Sequence, residues 1–271
     1  NNNIHDLSSI INSPKKNYYM ERVNRKDTPE TFKKVSDEIK KLNLIFPFVI
    51  DNYMTISSFI SEINDDFKYI IVIKNPIDLI FSWFRTGRGT RLGTDPYYIK
   101  PAFQINGFDN IHYSMLDNAE EFNNASSLEK CFLVIEKQLT GYLNSSLMYS
   151  KNSCLVPFEN YSIDTEKYIK KFENLLETSR TDFTNIEIKK ANFPRKIDLE
   201  LFSKKTNMIF DNMNENYIFR LKKLCQRYES EISDIYKLSS ITKYSKGKYK
   251  GLSADEFSKV SSRSYYHEGK H

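Results

Sequence analysis

The sequence predicts an α/β fold, a mainly parallel sheet flanked by helices, and three segments carry that prediction. Tyr69–Ile73 (YIIVI) is an unbroken apolar run, and its lack of alternation suits a strand buried on both faces, as in a parallel sheet. Leu44–Ile50 is a second short run rich in β-branched and aromatic residues. Between the two, Ile56, Phe59, Ile60 and Ile63 recur at helical spacing. Strand, helix and strand in that order make a βαβ unit, and its crossover is expected to be right-handed.

The remaining elements follow along the chain. Leu7, Ile10 and Ile11 end a helix stopped by Ser13-Pro14, because the residue before proline resists the α region. Thr31–Lys41 is a charged helix leading to Leu44–Ile50, which reads as a strand despite Pro47. After Ile73, Asn75-Pro76 breaks the strand and Leu79–Phe84 opens a helix. Thr86–Pro101, with Gly87, Gly89, Gly93 and Pro96, reads as a loop. Leu128–Tyr142 is a strongly amphipathic helix and Ser153–Phe158 a third strand. Thr165–Glu177 is a helix with apolar Tyr168, Ile169, Phe172, Leu175 and Leu176. Ile186–Ile197 reads as a basic loop and Asn214–Ile232 as a long amphipathic helix. From Lys237 the chain turns polar, basic and Ser/Tyr-rich, which predicts an extended or disordered tail over 237–271 after one domain over 1–236.

Composition narrows the class. At 271 residues, with 39% hydrophobic and 28% charged residues, the chain can bury the core of one large globular domain. The net charge of +5 suits an anionic ligand, but there is no basic stripe interleaved with aromatics of the kind a nucleic-acid binder carries. Cys131, Cys154 and Cys225 are far apart and form no CxxC, so they are expected as reduced, buried thiols in a cytoplasmic protein. No apolar run approaches the ~18 residues of a membrane span, and no signal peptide is visible. No His, Cys and carboxylate cluster suggests a metal.

The chemistry gathers around the clearest strand. In open parallel sheets, ligands sit outside the carboxyl ends of the strands, where Lys74 stands directly after Ile73. A cation there, the Ser82 hydroxyl on the first turns of the following helix and that helix's N-terminal amides would converge on one anion. The alternative is a solvated lysine and an ordinary serine in a βα connection. Arg85, Arg88 and Arg91 recur every three residues among glycines that let the backbone approach a ligand. The same arginines equally suit a surface loop paired with carboxylates.

Lys74, Asn75, Pro76, Asp78 and Ser82 stand in register with Arg-[Asp/Asn]-Pro-x-Asp-x-x-x-Ser, so the segment resembles the 3′-phosphate-binding segment of sulfotransferases that use 3′-phosphoadenosine 5′-phosphosulfate (PAPS). The resemblance implies a three-layer sandwich of the P-loop nucleotide hydrolase-like type. It also implies PAPS as sulfuryl donor, its 3′-phosphate held by Lys74 and Ser82, and Asp78 bracing the turn. Lysine at 74, where the family has arginine, keeps the charge but loses the bidentate fork. Leu155–Tyr161 (LVPFENY) with the helix after it is similar to the family's strand, acidic turn and helix, with Glu159 in a structural role. Asn192–Lys196 (NFPRK) resembles the basic loop that closes over the 3′-phosphate, which carries Arg195 and Lys196 into the site. Arg85, Arg88 and Arg91 match a loop that shapes the acceptor site. The family's Gly-containing loop for the 5′-phosphosulfate occurs nowhere in the chain, which opens with Asn1-Asn2-Asn3. That loop is therefore expected either to lie before residue 1, with the chain a processed product or a fragment, or to be missing from a natural inactive form.

Sulfuryl transfer also needs a base near the acceptor hydroxyl or amine. Glu21 matches a family glutamate after the first helix, and Asp51 at the end of Leu44–Ile50 is the other candidate; either also suits a surface carboxylate or helix cap. The acceptor is expected to be a carbohydrate or small molecule. Two other functions stay open: a non-catalytic nucleotide-binding module on the same fold, and another nucleotide-dependent transferase such as a kinase. The kinase would need a phosphate loop and Mg²⁺-binding acids that the sequence does not display.

Overall fold

The computed structural model describes residues 68–91, 115, 118–240 and 247–261. The expected strand Leu44–Ile50 and the helices around residues 7–11, 31–41 and 56–63 lie outside these described residues. Within them the protein is mostly helical, with a two-stranded parallel sheet flanked by helices. Strand β1 (Tyr69–Ile73) pairs with β2 (Ser153–Pro157), Tyr69 opposite Ser153 and Ile73 opposite Pro157. Parallel strands cannot be joined by a tight turn, and helices make this crossover.

Helix α1 (Pro76–Arg85) begins three residues before the expected Leu79, because Pro76 starts the helix instead of breaking the chain. Proline at the first helical position has its φ preset and loses only an amide that would have no helical partner. The Asn75 side chain caps the helix by accepting from the Ile77 amide at 3.0 Å. Within the expected loop after α1, a short helix α2 (Arg88–Arg91) forms. It packs so closely on the next long helix that a Cβ on Gly89 would lie 2.0 Å from the Ser127 carbonyl oxygen. Only glycine fits there.

Helix α3 (Ala119–Asn124) leads to α4 (Ser127–Leu143), whose start is set by a capping box between Ser126 and Glu129. Leu128, Cys131, Phe132, Val134, Ile135 and Leu139 of α4 are buried against α1 and form the centre of the main core. After β2 come α5 (Phe158–Ile163), α6 (Thr165–Leu176) and α7 (Asp182–Lys190), then α8 (Leu199–Asp211) and α9 (Glu215–Glu231). In α9, Leu221, Leu224, Cys225 and Tyr228 are buried at helical spacing, and Asn214 caps its start. All three cysteines are free and buried.

Three expectations are corrected. β1 is not buried on both faces: Ile71 and Ile73 enter the main core, whereas Ile70 and Val72 remain 38% and 40% exposed. On that second face α6 covers Cys154 and Val156 of β2 with Tyr168, and does not bury Ile70 or Val72. Residues 186–190 are helical, as part of α7, and only 191–198 remain a loop. Polar composition misled here, because α7 buries none of its residues.

The stretch from Lys237, expected to be extended or disordered, includes α10 (Ala254–Ser261). Its Phe257 is fully buried, 5.2 Å from the Phe81 ring and edge-on to Phe84 at 4.7 Å. The Asp211 carboxylate accepts from the amides of Gly247 and Tyr249, and the Asn212 side-chain oxygen accepts from those of Gly251 and Leu252. The Asn212 side-chain amide also donates to the Tyr249 carbonyl at 2.6 Å, so a buried aromatic ring and bonds to the backbone hold a segment whose composition is otherwise polar. Among the described residues, no helix is long and apolar enough to cross a membrane.

Candidate anion site at the carboxyl ends of the strands

The parallel register sets the two strand ends side by side, so Lys74 leaves β1 next to the point where Phe158 leaves β2. The Lys74 ammonium lies 5.4 Å from the centroid of the Phe158 ring. No carboxylate among the described residues lies within ion-pair distance of it. Burial is the main influence lowering the affinity of this ammonium for its proton. Asp78 and Glu159 act in the opposite direction, while Lys205 and Arg85 add to the lowering.

Asp78, in the first turn of α1, is engaged elsewhere. Its carboxylate accepts from the Lys205 ammonium of α8 at 2.5 Å, and the two side chains are 7% and 6% exposed. Glu159 is also buried, at the start of α5, with burial pushing its carboxyl above the usual range. It accepts from the Tyr228 hydroxyl at 2.6 Å and from the Asn75 amide at 3.3 Å, and both bonds favour the carboxylate. The Asn75 side-chain amide in turn donates to the Tyr236 carbonyl at 3.3 Å. The turn carrying Lys74 is therefore held from α5, α8, α9 and the chain beyond α9.

Arg195 joins the same neighbourhood through aromatic rings. Its amide donates to the Ser162 carbonyl at 2.6 Å, which ties the 191–198 loop to the end of α5. Its guanidinium donates to the Ala191 carbonyl at 3.1 Å and lies 4.4 Å from the Phe193 ring centroid. Phe193 meets Phe158 edge-on at 6.2 Å and Tyr161 at 5.0 Å. Lys74, Phe158, Phe193 and Arg195 so form a series of cation, ring, ring and cation. A cavity of about 370 Å³ opens beside Phe193, lined also by Asp164, Thr165, Asn185, Ile188 and Lys189.

The other candidates divide. Ser82 is the seventh residue of α1, because the helix starts at Pro76, and so stands in the second turn, not at the amide-bearing end. Arg85 closes α1 and is near enough to Lys74 to act on its charge. Arg88 sits over the Trp83 ring at 5.0 Å, on a short helix and not on an open glycine loop. Arg91 ends that helix, and its side chain lies outside the described residues. Lys196 is exposed on the 191–198 loop. Glu21 and Asp51 lie outside the described residues, so the structure brings neither to the site.

Sequence inspection missed Lys205 and Tyr228. A signal was present for each: Lys205 interrupts the buried stripe Leu201, Met208 of α8, and Tyr228 continues the stripe Leu221, Leu224 of α9. A charged residue inside an apolar stripe implies a buried partner. No family model, curated protein or solved structure matches the chain.

Proposed function

We propose that the protein is a sulfotransferase-like nucleotide-binding enzyme that takes PAPS by its 3′-phosphate and passes the sulfuryl group to a hydroxyl or amine of a carbohydrate or small-molecule acceptor. The fold this implies is the three-layer, P-loop nucleotide hydrolase-like sandwich, and the parallel pair β1–β2 with its flanking helices is consistent with it. One observation carries the proposal: a half-buried ammonium, Lys74, stands at the carboxyl end of a parallel strand with no acid paired to it among the described residues. A cation partly withdrawn from water with no acid paired to it carries a desolvation cost, and a phosphate dianion is the kind of partner that offsets it.

Two further features support the reading. The Lys74-Asn75-Pro76-x-Asp78 spacing is that of the family's 3′-phosphate segment. Arg195, in the loop resembling the family's closing loop, shares a ring system with Lys74. In this reading Lys74 and Arg195 bind and orient the 3′-phosphate, and Phe158 and Phe193 present an apolar, aromatic wall beside it. PAPS, once bound, supplies the activated sulfuryl group. The protein's own contribution at this end is placement, which holds the donor in line with the acceptor.

Adenosine 3′,5′-bisphosphate is the direct probe. At a hundredfold excess over its Kd it is expected to stabilise the protein by about 2.7 kcal/mol, seen as a rise in Tm. The double substitution Lys74→Ala with Arg195→Ala is expected to remove the rise. An unchanged Tm of the parent protein at millimolar nucleotide ends this reading.

A further inference from the structure

Lys74 is surrounded by charges that do not act equally. Asp78 has the strongest attractive effect on it, but that carboxylate is bonded to Lys205, whose opposing charge offsets part of that effect. Arg85 adds a further positive charge. The phenol of Tyr228 stays neutral, pushed up by burial and by Glu159. This leaves Glu159 as the acid whose charge is not cancelled by an ion pair among the described residues.

Its geometry suits it to act on Lys74. Its carboxylate accepts from the amide of Asn75, the residue after Lys74, and Phe158, the residue before Glu159, supplies the ring beneath the ammonium. The Tyr228 hydroxyl, on α9, fixes the other carboxylate oxygen at 2.6 Å. The chain separations are 84 residues from Asn75 to Glu159 and 69 from Glu159 to Tyr228, so this triad exists only in the folded protein.

We propose that Glu159, oriented by Tyr228, is the positioning residue of Lys74: it fixes the backbone turn that carries the lysine and sets an acid with no ion pair among the described residues beside that turn. The role of Lys74 as a phosphate contact rests on the function proposed above, but the coupling between Glu159 and Lys74 does not.

The test has two arms. In the first, without nucleotide, the Lys74 ammonium is followed by NMR in lysine-labelled protein, its signal assigned by loss in Lys74→Ala. Glu159→Gln is expected to move the Lys74 titration to lower pH, and Tyr228→Phe to move it the same way by less. An unmoved titration in a folded Glu159→Gln protein overturns the proposal. Should Glu159→Gln fail to fold, Tyr228→Phe decides: a titration identical to the parent's overturns it equally. In the second arm, adenosine 3′,5′-bisphosphate binding is measured by calorimetry. Glu159→Gln is expected to weaken it about tenfold while leaving the two cations in place, a change of about 1.4 kcal/mol. Unchanged affinity beside a shifted titration overturns the positioning role. A parent protein that does not bind the nucleotide at all defeats the proposed function, and the first arm still decides the coupling.

Discussion

The two strand-to-helix junctions lie side by side in the sheet yet are built in different ways. At the first, Lys74-Asn75-Pro76, the turn stabilises its own helix: the Asn75 side chain caps α1 and Pro76 starts it, while Asp78 of the first turn pairs with Lys205 of α8. At the second, α5 follows Pro157 with no side-chain cap, and its first-turn acid, Glu159, reaches across to the Asn75 amide instead. The first junction carries the candidate anion contact, and the second supports it. The contrast teaches that an acid in the first turn of a helix need not serve that helix.

Removing the acid of the first junction breaks this comparison most severely. Asp78→Ala removes the carboxylate that holds the buried Lys205 ammonium, and is expected to cost about 3–5 kcal/mol, read as a lower urea midpoint at constant slope. Lys74→Met gives the opposite result at the same junction. It deletes a half-buried charge that has no paired acid among the described residues, so stability is expected to stay within about 1 kcal/mol of the parent or rise, while nucleotide stabilisation disappears. If both substitutions destabilise equally, the distinction between a paired and a ligand-seeking lysine fails.

Asn75→Ala sharpens the comparison at smaller scale. It removes the cap on Ile77 and the bond to the Tyr236 carbonyl but leaves the backbone amide that Glu159 holds. A loss of about 1–2 kcal/mol is expected in equilibrium unfolding. The smallest effect is in pH. Since burial lowers the proton affinity of Lys74, nucleotide affinity is expected to fall with rising pH before the ordinary lysine value of 10.5 is reached. Stability responds with the opposite sign. Between the lowered value and 10.5 the unfolded chain binds the extra proton, so the contribution of this group to stability rises with pH. Affinity titrations and unfolding curves across the alkaline range check the two slopes separately.

Much of the local structure was legible in the residues. The run YIIVI gave β1 to the residue, and Asn214 and Ile232 bracket α9 as its caps. These signals act within about four residues, the range of capping and helical periodicity. Failures came where the local signal and the packing diverge. The polar segment 186–190 is helical without burying anything, and one phenylalanine, Phe257, ties the expected tail into the main core. The exposure of Ile70 and Val72 likewise depends on what α6 covers, which no property of β1 reveals.

For the candidate site the division is equally physical. The sequence by itself determined that a lysine follows a buried strand, that Asn-Pro turns the chain after it, and that a basic loop comes later. Only the tertiary structure decided which charges are spoken for. Asp78 and Lys205 are 127 residues apart in the chain, and their pairing leaves Lys74 without that acid. Burial then multiplies the consequence, because a charge removed from water depends on the few groups that face it, and those groups are assembled from α5, α8 and α9 by folding alone.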